Sequence, residues 1–412
     1  MTTPSERDQR IVIVGAGHAG GAAAACLRQF GFAGEITLIG AESLPPYQRP
    51  PLSKAWLKGE AGAADLFLKP AGWYADNGVD LRTDSVVTTI DRPPRLVRLE
   101  NGEVLGYDQL VLATGARARS LPIPGGDADG VFSLRSAADA EALKGRLGPG
   151  RRLAVVGGGY VGLEVAASAR ALGGEAVVVE REARILARVA SAPLSAFFQS
   201  YHEARGVAFA CGAQVEEIVG EGGRVRAIRL TDGRVLPCDA VLIGVGAIPN
   251  DELARAAGLE CADGVVVDQQ ARTSDPSIFA LGDLTWRPVP RYGRSCRLES
   301  VPNALEQARQ MAAAVTGRPP PAPEVPWFWS DQYDIKLQIA GLPFDADMTV
   351  VRGDPRTAKF AIFHLAGSVV QAVEAVNAPA EFMAGKTLIA GKVAPDAVQL
   401  ADAAIPMKSF LR

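Results

Sequence analysis

A glycine-rich pattern that occurs twice is the feature that most constrains the fold of this chain. The first copy places apolar residues 11–14 before the turn GAGHAG, and an alanine-rich helical stretch and apolar residues 36–39 follow. The second places residues 153–156 before GGGYVG, and helical residues 163–172 and apolar residues 176–179 follow. A strand, a tight glycine turn, a helix and a second strand form a βαβ unit. The sequence therefore predicts an α/β protein with two Rossmann-like dinucleotide-binding domains.

The three glycines of each turn have separate physical roles. The first permits a sharp turn, the second lets a pyrophosphate approach the backbone, and the third lets the helix pack closely. The pyrophosphate then lies at the helix N-terminus, where backbone N–H groups are unpaired and the helix dipole is positive. We expect these roles, in order, for Gly15, Gly17 and Gly20 and again for Gly157, Gly159 and Gly162.

An acidic residue follows the second strand of each unit. Glu180 directly ends its strand, in the place where a carboxylate accepts hydrogen bonds from ribose hydroxyls. Because a carboxylate there also repels a 2′-phosphate, we expect the second site to prefer NADH over NADPH, a preference that Arg181 could weaken. In the first unit the acid, Glu42, arrives later, so a contact with the adenosine ribose and a solvated loop glutamate both remain open.

Two dinucleotide sites in one chain indicate one tightly held flavin and one exchangeable nicotinamide nucleotide, here FAD and NADH. Glycine-containing turns after three further apolar runs support this interpretation. We expect cofactor contacts from Ala113, Thr114 and Gly115, from Gly246, and from Gly282.

Turn and linker signals divide the chain into three predicted domains. The dipeptides Asn101-Gly102 and Asp232-Gly233 predict hairpins, and the proline-rich residues 319–326 predict a linker. We therefore expect an FAD-binding domain from residues 1–114 and 247–324, an NADH-binding domain from residues 115–246, and a C-terminal α+β domain from residues 325–412.

Charge, cysteine spacing and hydropathy exclude several other classes of protein. The formal net charge of −3 gives no overall attraction to nucleic acid or to an anionic membrane. None of the five cysteines forms a CxxC pair, which argues against a metal site, a redox dithiol or a disulfide scaffold. No apolar run reaches the roughly 20 residues of a membrane helix, and residues 1–10 lack a signal-peptide core. We expect a cytoplasmic protein and favour a monomer.

Several runs resemble a known family more specifically than the glycine turns do. The chain resembles the flavoprotein disulfide reductases of glutathione-reductase fold, and more narrowly the NADH-dependent ferredoxin reductases of bacterial monooxygenase systems, the putidaredoxin reductase group. The resemblance covers essentially the whole chain. It rests on residues 14–20, 49–54 (RPPLSK), 113–115, 156–164, 282–283, 299–309 (ESVPNALEQAR) and 326–332 (PWFWSDQ).

The resemblance implies a set of FAD contacts. The first glycine turn, with Ala19, should hold the FAD pyrophosphate, and Asp283 should bind the ribitol or phosphate end of the cofactor. The backbone of Val301 should meet the pyrimidine side of the flavin. Further contacts are implied for Arg49, Val87 and Arg135, the last two on the adenine side. The family usually has its ribose acid where this chain has Ala41, which leaves Glu42 as the substitute.

The resemblance also implies the residues that act during electron transfer. Dithiol members carry their redox cysteines in the segment that corresponds to residues 47–54, and this chain has none there. Lys54 could instead stabilise negative charge on the reduced flavin, with an ordinary ion pair as the alternative. Tyr160 could cover the flavin until NADH displaces it, and Trp329 should lie near the flavin. Glu164 and Glu299 are two candidates to accept a hydrogen bond from the nicotinamide carboxamide.

The expected activity is hydride transfer from NADH to FAD, followed by single-electron delivery to a 2Fe-2S ferredoxin that feeds a haem-thiolate monooxygenase. The runner-up is the reductase of an aromatic-ring dioxygenase or rubredoxin system. Less favoured are a peroxidase using Cys26 and a flavin-bearing NADH sensor of the apoptosis-inducing type. Because such ferredoxins are acidic, Arg309 and Lys408 could help to steer the partner.

Overall fold

The computed structural model describes residues 9–411, and residues 1–8 and 412 lie outside this range. The chain packs into two units. Within the described range, the first unit contains residues 9–48, 63–117 and 248–326, and the second contains residues 49–62, 118–247 and 327–411. The second unit thus combines the segment expected to bind NADH with the C-terminal segment. The predicted division into three domains stays a prediction.

The strands follow one another throughout both units. In chain order they are β1 (Arg10–Val14), β2 (Glu35–Ile39), β3 (Val79–Arg82), β4 (Val87–Asp91), β5 (Leu96–Leu99), β6 (Val104–Gly106), β7 (Gln109–Leu112), β8 (Ala116–Ala118), β9 (Val131–Phe132), β10 (Arg152–Val156), β11 (Glu175–Glu180), β12 (Val207–Cys211), β13 (Val215–Glu221), β14 (Arg224–Leu230), β15 (Val235–Pro237), β16 (Ala240–Ile243), β17 (Ala247–Pro249), β18 (Cys261–Ala262), β19 (Gly264–Val266), β20 (Ile278–Ala280), β21 (Thr285–Val289), β22 (Arg294–Arg297), β23 (Trp327–Gln332), β24 (Ile335–Gly341), β25 (Met348–Asp354), β26 (Lys359–Ala366) and β27 (Val369–Val376).

The helices are fewer and mostly short. In chain order they are α1 (His18–Gln29), α2 (Ala55–Lys58), α3 (Ala63–Leu66), α4 (Trp73–Asp76), α5 (Ala137–Lys144), α6 (Tyr160–Ala171), α7 (Ala192–Glu203), α8 (Glu252–Ala256), α9 (Val301–Val315), α10 (Pro379–Gly391) and α11 (Ala397–Ala401).

The first unit is built on a parallel sheet with the strand order β20-β7-β1-β2-β3. Its strands are apolar on both faces because both faces are covered, one by helices α1 and α9 and the other mainly by residues of β4, β5 and β19. Ile13 of β1, Ala23 and Leu27 of α1, and Ala308 and Met311 of α9 lie in one buried core cluster. The small alanine side chains let α1 and α9 approach each other closely. This packing fixes the turn between β1 and α1, which carries the first glycine motif.

The second unit contains a parallel sheet and an antiparallel sheet. The parallel sheet has the order β12-β11-β10-β16-β9, so β10, which precedes the second glycine motif, is central. The antiparallel sheet has the order β23-β24-β27-β26-β25. Helix α10 packs on β27 so closely that a Cβ on Gly385 would lie 2.5 Å from a Val373 methyl group.

Most local predictions are confirmed. The α/β class is correct, β5 pairs with β6 across Asn101-Gly102, and β14 pairs with β15 across Asp232-Gly233. Helix α6 starts at Tyr160, three residues before the expected start at residue 163. The reason is that Gly162 belongs to the first helical turn, where it can pack against the backbone because it has no side chain. Among the described residues, no helix is long and apolar enough to cross a membrane.

Candidate functional site

The first glycine turn leaves a helix N-terminus open for an anion. Gly15 has φ 111°, and a Cβ there would lie 2.2 Å from the carbonyl oxygen of Ala113. A Cβ on Gly20 would lie 1.9 Å from the Gly15 carbonyl oxygen. Helix α1 is N-capped by Gly17, which has no side chain to accept a hydrogen bond from the first turn. These features fit the pyrophosphate of a bound dinucleotide such as FAD.

The second glycine turn repeats this geometry in the second unit. Gly157 has φ 108°, and a Cβ there would lie 2.4 Å from the Gly244 carbonyl oxygen. A Cβ on Gly162 would lie 2.4 Å from the Gly157 carbonyl oxygen, and Gly159 caps α6 without a side-chain hydrogen bond. In contrast, four other helices have side-chain caps, from Ser136, Ser191, Ser300 and Asp396. The second turn therefore also fits a pyrophosphate.

Both predicted ribose acids are held by local hydrogen bonds. Glu180 accepts the backbone N–H of Gly158 on Oε2 at 2.7 Å and that of Glu182 on Oε1 at 2.9 Å. The carboxylate is therefore fixed at the end of β11, beside the glycine turn. Glu42 accepts a hydrogen bond from the Tyr47 hydroxyl, so it is not a freely solvated loop residue. Arg181 is exposed and pairs with Glu182 at 3.0 Å.

Gln307 holds the turn that contains Gly282 and Asp283. Its Oε1 accepts the Gly282 N–H at 2.7 Å, and its Nε2 donates to Thr285 Oγ1 at 3.0 Å. Thr285 Oγ1 in turn donates to the Gly282 carbonyl oxygen at 2.9 Å, which closes a ring of three hydrogen bonds. Gln307 is 1% exposed. Its part in this turn was missed by the sequence reasoning, although it lies within the family-specific run of residues 299–309.

Replacing Gln307 with leucine should weaken FAD binding about tenfold or more. The change keeps the side-chain volume but leaves the buried Gly282 N–H without an acceptor, at a cost of about 1–3 kcal/mol. Because this turn carries Asp283, the loss should appear in the FAD dissociation constant, measured by the fluorescence of released flavin. Gln307→Glu, which can still accept the Gly282 N–H but cannot donate to Thr285, should restore part of the affinity. A leucine variant with unchanged FAD affinity would contradict the role assigned to Gln307.

The remaining FAD candidates occupy ordered backbone positions in their own units. Residues 113–115 are held by Asn250, whose Nδ2 donates to the Thr114 carbonyl oxygen at 2.9 Å, while Thr114 Oγ1 donates to the Asn250 carbonyl oxygen at 2.7 Å. Val301 is the first residue of α9. Val87 is buried in β4. In the second unit, an Arg49 Nη1–H donates to the Arg135 carbonyl oxygen, which brings these two predicted residues together.

Lys54 and Glu164 form a largely buried ion pair in the second unit. Lys54 Nζ lies 2.7 Å from Glu164 Oε2, and the two side chains are 19% and 7% exposed. The Ser53 hydroxyl donates to the same Glu164 oxygen, and the Ser330 hydroxyl donates to the other at 2.6 Å. Both carboxylate oxygens of Glu164 thus have protein partners. The sequence reasoning missed Ser53 and Ser330, although Ser53 stands beside Lys54 in the RPPLSK run.

The polar contacts of Glu164 continue into the core. Gln332 Nε2 donates to Ser330 Oγ at 3.1 Å, and Gln332 Oε1 lies 2.7 Å from His202 Nε2. An amide oxygen can only accept, so His202 Nε2 carries a proton. His202 is fully buried, and this burial lowers its pKa to about 4. A chain of hydrogen bonds therefore links a buried neutral histidine to the Lys54–Glu164 pair. We call residues His202, Gln332, Ser330 and Glu164 the polar chain.

Two aromatic candidates, Tyr160 and Trp329, lie in the second unit. The Tyr160 ring contacts Phe328 edge-on at a centroid distance of 5.0 Å, and its hydroxyl donates to the Val189 carbonyl oxygen at 3.2 Å. Trp327 and Trp329 face the same side of β23, with ring centroids 5.7 Å apart. Residues two apart in this strand therefore share a face.

Other candidates have surface positions. Glu299 is exposed and pairs with Arg297. Arg309 is exposed and pairs with Glu324 at 3.0 Å, and Lys408 is also exposed. Gly246 follows β16 with φ 106°. The contacts expected of all these residues with cofactor or partner stay predictions.

Two glycine turns with open helix N-termini define this chain as a protein that binds two dinucleotides. A family model described as pyridine nucleotide-disulphide oxidoreductase matches residues 9–308, and one described as reductase C-terminal matches residues 327–411. The chain therefore belongs to the pyridine nucleotide-disulphide oxidoreductase family, and it uses FAD and NAD(H).

Individual relatives match over nearly the whole chain. A probable ferredoxin reductase, CtmF, of Castellaniella defragrans is 54% identical over 396 residues, which cover 96% of this chain and 97% of that protein. A second relative is the ferredoxin–NAD(+) reductase component of the anthranilate 1,2-dioxygenase system of Burkholderia cepacia. It is 42% identical over 404 residues, which cover 97% of this chain and 98% of that protein. The reductase in the solved covalent putidaredoxin reductase–putidaredoxin complex superposes with a TM-score of 0.96, at 42% identity and 98% coverage of each chain.

Proposed function

We propose that this chain is an FAD-dependent NADH:ferredoxin reductase that delivers single electrons to a 2Fe-2S ferredoxin serving a haem-thiolate monooxygenase. The observation that carries the proposal is the pair of open glycine turns in a chain whose residues 47–54 contain no cysteine. Such a chain has no dithiol at that segment to pass electrons to a disulfide. The names of the relatives, which include ferredoxin reductases and a putidaredoxin complex, support the same partner class.

Bound FAD supplies a ring that accepts a hydride and can release electrons one at a time. The chain contributes binding, orientation and charge. Glu180 fixes the adenosine ribose of NADH, and Tyr160 gives way to the nicotinamide. We propose that Lys54, held by Glu164, stabilises negative charge on the reduced flavin, and that Trp329 lies on the side from which electrons leave. Glu164 or Glu299 orients the carboxamide. Both Glu164 oxygens accept hydrogen bonds from serine hydroxyls and Glu299 pairs with Arg297, so both candidates stay open.

The central experiment follows the flavin spectrum. The purified protein should be yellow, lose its flavin absorbance rapidly when NADH is added without oxygen, and regain it when an oxidised 2Fe-2S ferredoxin is supplied. NADPH should act more weakly because Glu180 repels a 2′-phosphate. Slow bleaching with a long-lived charge-transfer band would favour the NADH-sensor alternative. A colourless protein that cannot be reconstituted with FAD would end the proposal.

Turnover with ferredoxin should fall as ionic strength rises. Exposed cations attract an acidic partner, and salt screens this attraction. Arg309→Gln and Lys408→Gln should each lower kcat/KM for ferredoxin while the rate of flavin bleaching by NADH stays the same. Arg309→Gln should have the smaller effect, because Glu324 already neutralises part of its charge. A rate independent of salt would remove electrostatic steering from the proposal.

The terminal acceptor distinguishes the remaining alternatives. The likeness to a dioxygenase-system reductase keeps that reading open as the second candidate. Cytochrome c reduction assays with ferredoxins from both kinds of system would separate the two.

A peroxidase would need a reactive cysteine, but Cys26 is buried in α1, and this burial raises the pKa of its thiol. We further propose that the protein is cytoplasmic and monomeric. Sedimentation of the holoenzyme would test whether it is a monomer.

A further inference from the structure

The segment after β11 crosses in front of the second glycine turn. β11 ends at Glu180, and a few residues later the backbone N–H of Leu186 donates to the Gly158 carbonyl oxygen at 2.9 Å. A Cβ on Gly158 would lie 2.9 Å from the side chain of Ile185. The segment therefore runs along the carboxyl edge of the parallel sheet, directly against the turn that follows β10.

The same segment then reaches the next strand of the sheet. The Arg188 guanidinium lies 3.8 Å from the position of a Cβ built on Gly246, which follows β16. In this sheet β10 lies between β11 and β16. Arg188 and Glu180 thus stand on opposite sides of the glycine turn, with Glu180 at the β11 side and the guanidinium at the β16 side.

The backbone on both sides of Arg188 is held in place. Arg184 donates to the Ala187 and Ala190 carbonyl oxygens at 3.1 and 3.0 Å. The backbone N–H of Ser191 donates to Glu374 Oε1 at 2.9 Å, and its hydroxyl donates to the other oxygen of this buried carboxylate. The backbone that carries Arg188 is therefore held by contacts on both sides.

Arg188 differs from its neighbours in having no partner of its own. It is exposed, and within residues 9–411 its side chain makes no hydrogen bond or ion pair. Arg181, in contrast, pairs with Glu182, and Arg184 is occupied by carbonyl oxygens. The edge of the sheet therefore presents one exposed guanidinium whose charge no residue of the described range neutralises. Its planar donors match a phosphate group in two-point geometry.

We propose that Arg188 binds the pyrophosphate of the nicotinamide nucleotide from the side opposite to helix α6. The N–H groups of the α6 N-terminus approach the pyrophosphate through the glycine turn, and the guanidinium closes over it from the crossing segment. This inference rests on the proposed function, because it takes the second turn as the NADH site. Arg188 is then a residue that binds NADH and raises its affinity.

The test compares three variants of the FAD-loaded full-length protein. Arg188→Gln removes the charge, Arg188→Lys keeps it without the planar fork, and Arg151→Gln removes an exposed arginine just before β10, at the opposite end of the sheet. Inhibition constants against NADH are measured for ADP-ribose, which carries the pyrophosphate, and for adenosine, which lacks it. A lost charged hydrogen bond should weaken ADP-ribose about ten- to hundred-fold.

The pattern across variants decides the proposal. We expect Arg188→Gln to weaken the binding of ADP-ribose and NADH but not that of adenosine. Arg188→Lys should recover part of the lost affinity, and Arg151→Gln should change the affinities little. The rate of flavin reduction by NADH should be unchanged in Arg151→Gln, whose substituted residue lies away from the proposed site. Equal ADP-ribose affinity in Arg188→Gln and Arg151→Gln would overturn the proposal, as would an equal loss for adenosine. If the wild-type protein binds ADP-ribose but NADH does not bleach the flavin, the proposed function is wrong while the assignment of Arg188 stands.

Discussion

The Glu164→Gln variant should be less stable than the wild type by about 3–5 kcal/mol, near the lower limit of that range. Removing one member of a buried ion pair leaves the other charge without compensation. Here the Lys54 ammonium would face a neutral amide. Because only 19% of the Lys54 side chain is exposed, water can solvate the remaining charge only in part. The free energy of unfolding, from the denaturant dependence of the second unit's transition, measures the effect.

A nearby exposed pair provides the matched control. Lys58 and Glu60 pair at 2.7 Å, but their side chains are 31% and 57% exposed. Glu60→Gln should therefore cost no more than about 1 kcal/mol. The double variant Lys54→Met/Glu164→Gln should regain part of the loss, because no buried charge is left unpaired. Equal effects of Glu164→Gln and Glu60→Gln would show that burial contributes nothing to this pair.

The second large effect concerns pH, and it arises at the other end of the polar chain. His202 has a pKa of about 4 in the folded protein because it is buried, against an ordinary value of 6.5. Below pH 6.5 the unfolded chain takes up a proton on this residue while the folded protein does not. The free energy of unfolding should therefore decrease as pH falls from about 6.5 to 4, by up to about 3 kcal/mol, and this contribution should level off below.

The His202→Gln variant isolates this contribution. An amide can replace the hydrogen bond to Gln332 but does not titrate, so the variant's free energy of unfolding should depend less on pH between 4 and 6.5. Carboxylates contribute to the pH dependence of both proteins and cancel in the difference. Unfolding in denaturant at several pH values gives the two curves. Parallel curves over this window would mean that His202 is not held neutral in the folded protein.

Local signals explain why the fold was largely predictable. The glycine turns combine a required positive φ, as at Gly15 and Gly157, with apolar runs on both sides, and this information lies within a few residues. The hairpins and the shared face of Trp327 and Trp329 are likewise local, since they follow from turn chemistry and a period of two. Such features can be recognised without knowing which segments meet in space.

The environment of the candidate site residues depends on contacts between distant segments. Glu164 could be named from its place after the glycine turn, but its partners Ser53 and Ser330 come from far along the chain in both directions. The hydrogen bond between Gly282 and Gln307 joins two separate elements. Nothing in the spacing around Arg188 shows that its segment crosses the glycine turn. Polar groups of this kind acquire a role only when tertiary packing removes water and leaves one partner available.

The two parallel sheets have the same arrangement of strands, but one edge strand comes from a different part of the chain in each. In the first unit the edge strand β20 joins β7 only after the whole segment that forms the second parallel sheet has intervened. In the second unit the corresponding edge strand, β9, precedes β10, so this sheet is complete once β16 exists. During synthesis on the ribosome, the downstream sheet can therefore finish before the upstream one. Nascent chains stalled between β16 and β20 should already protect the second sheet from proteases while the first remains vulnerable.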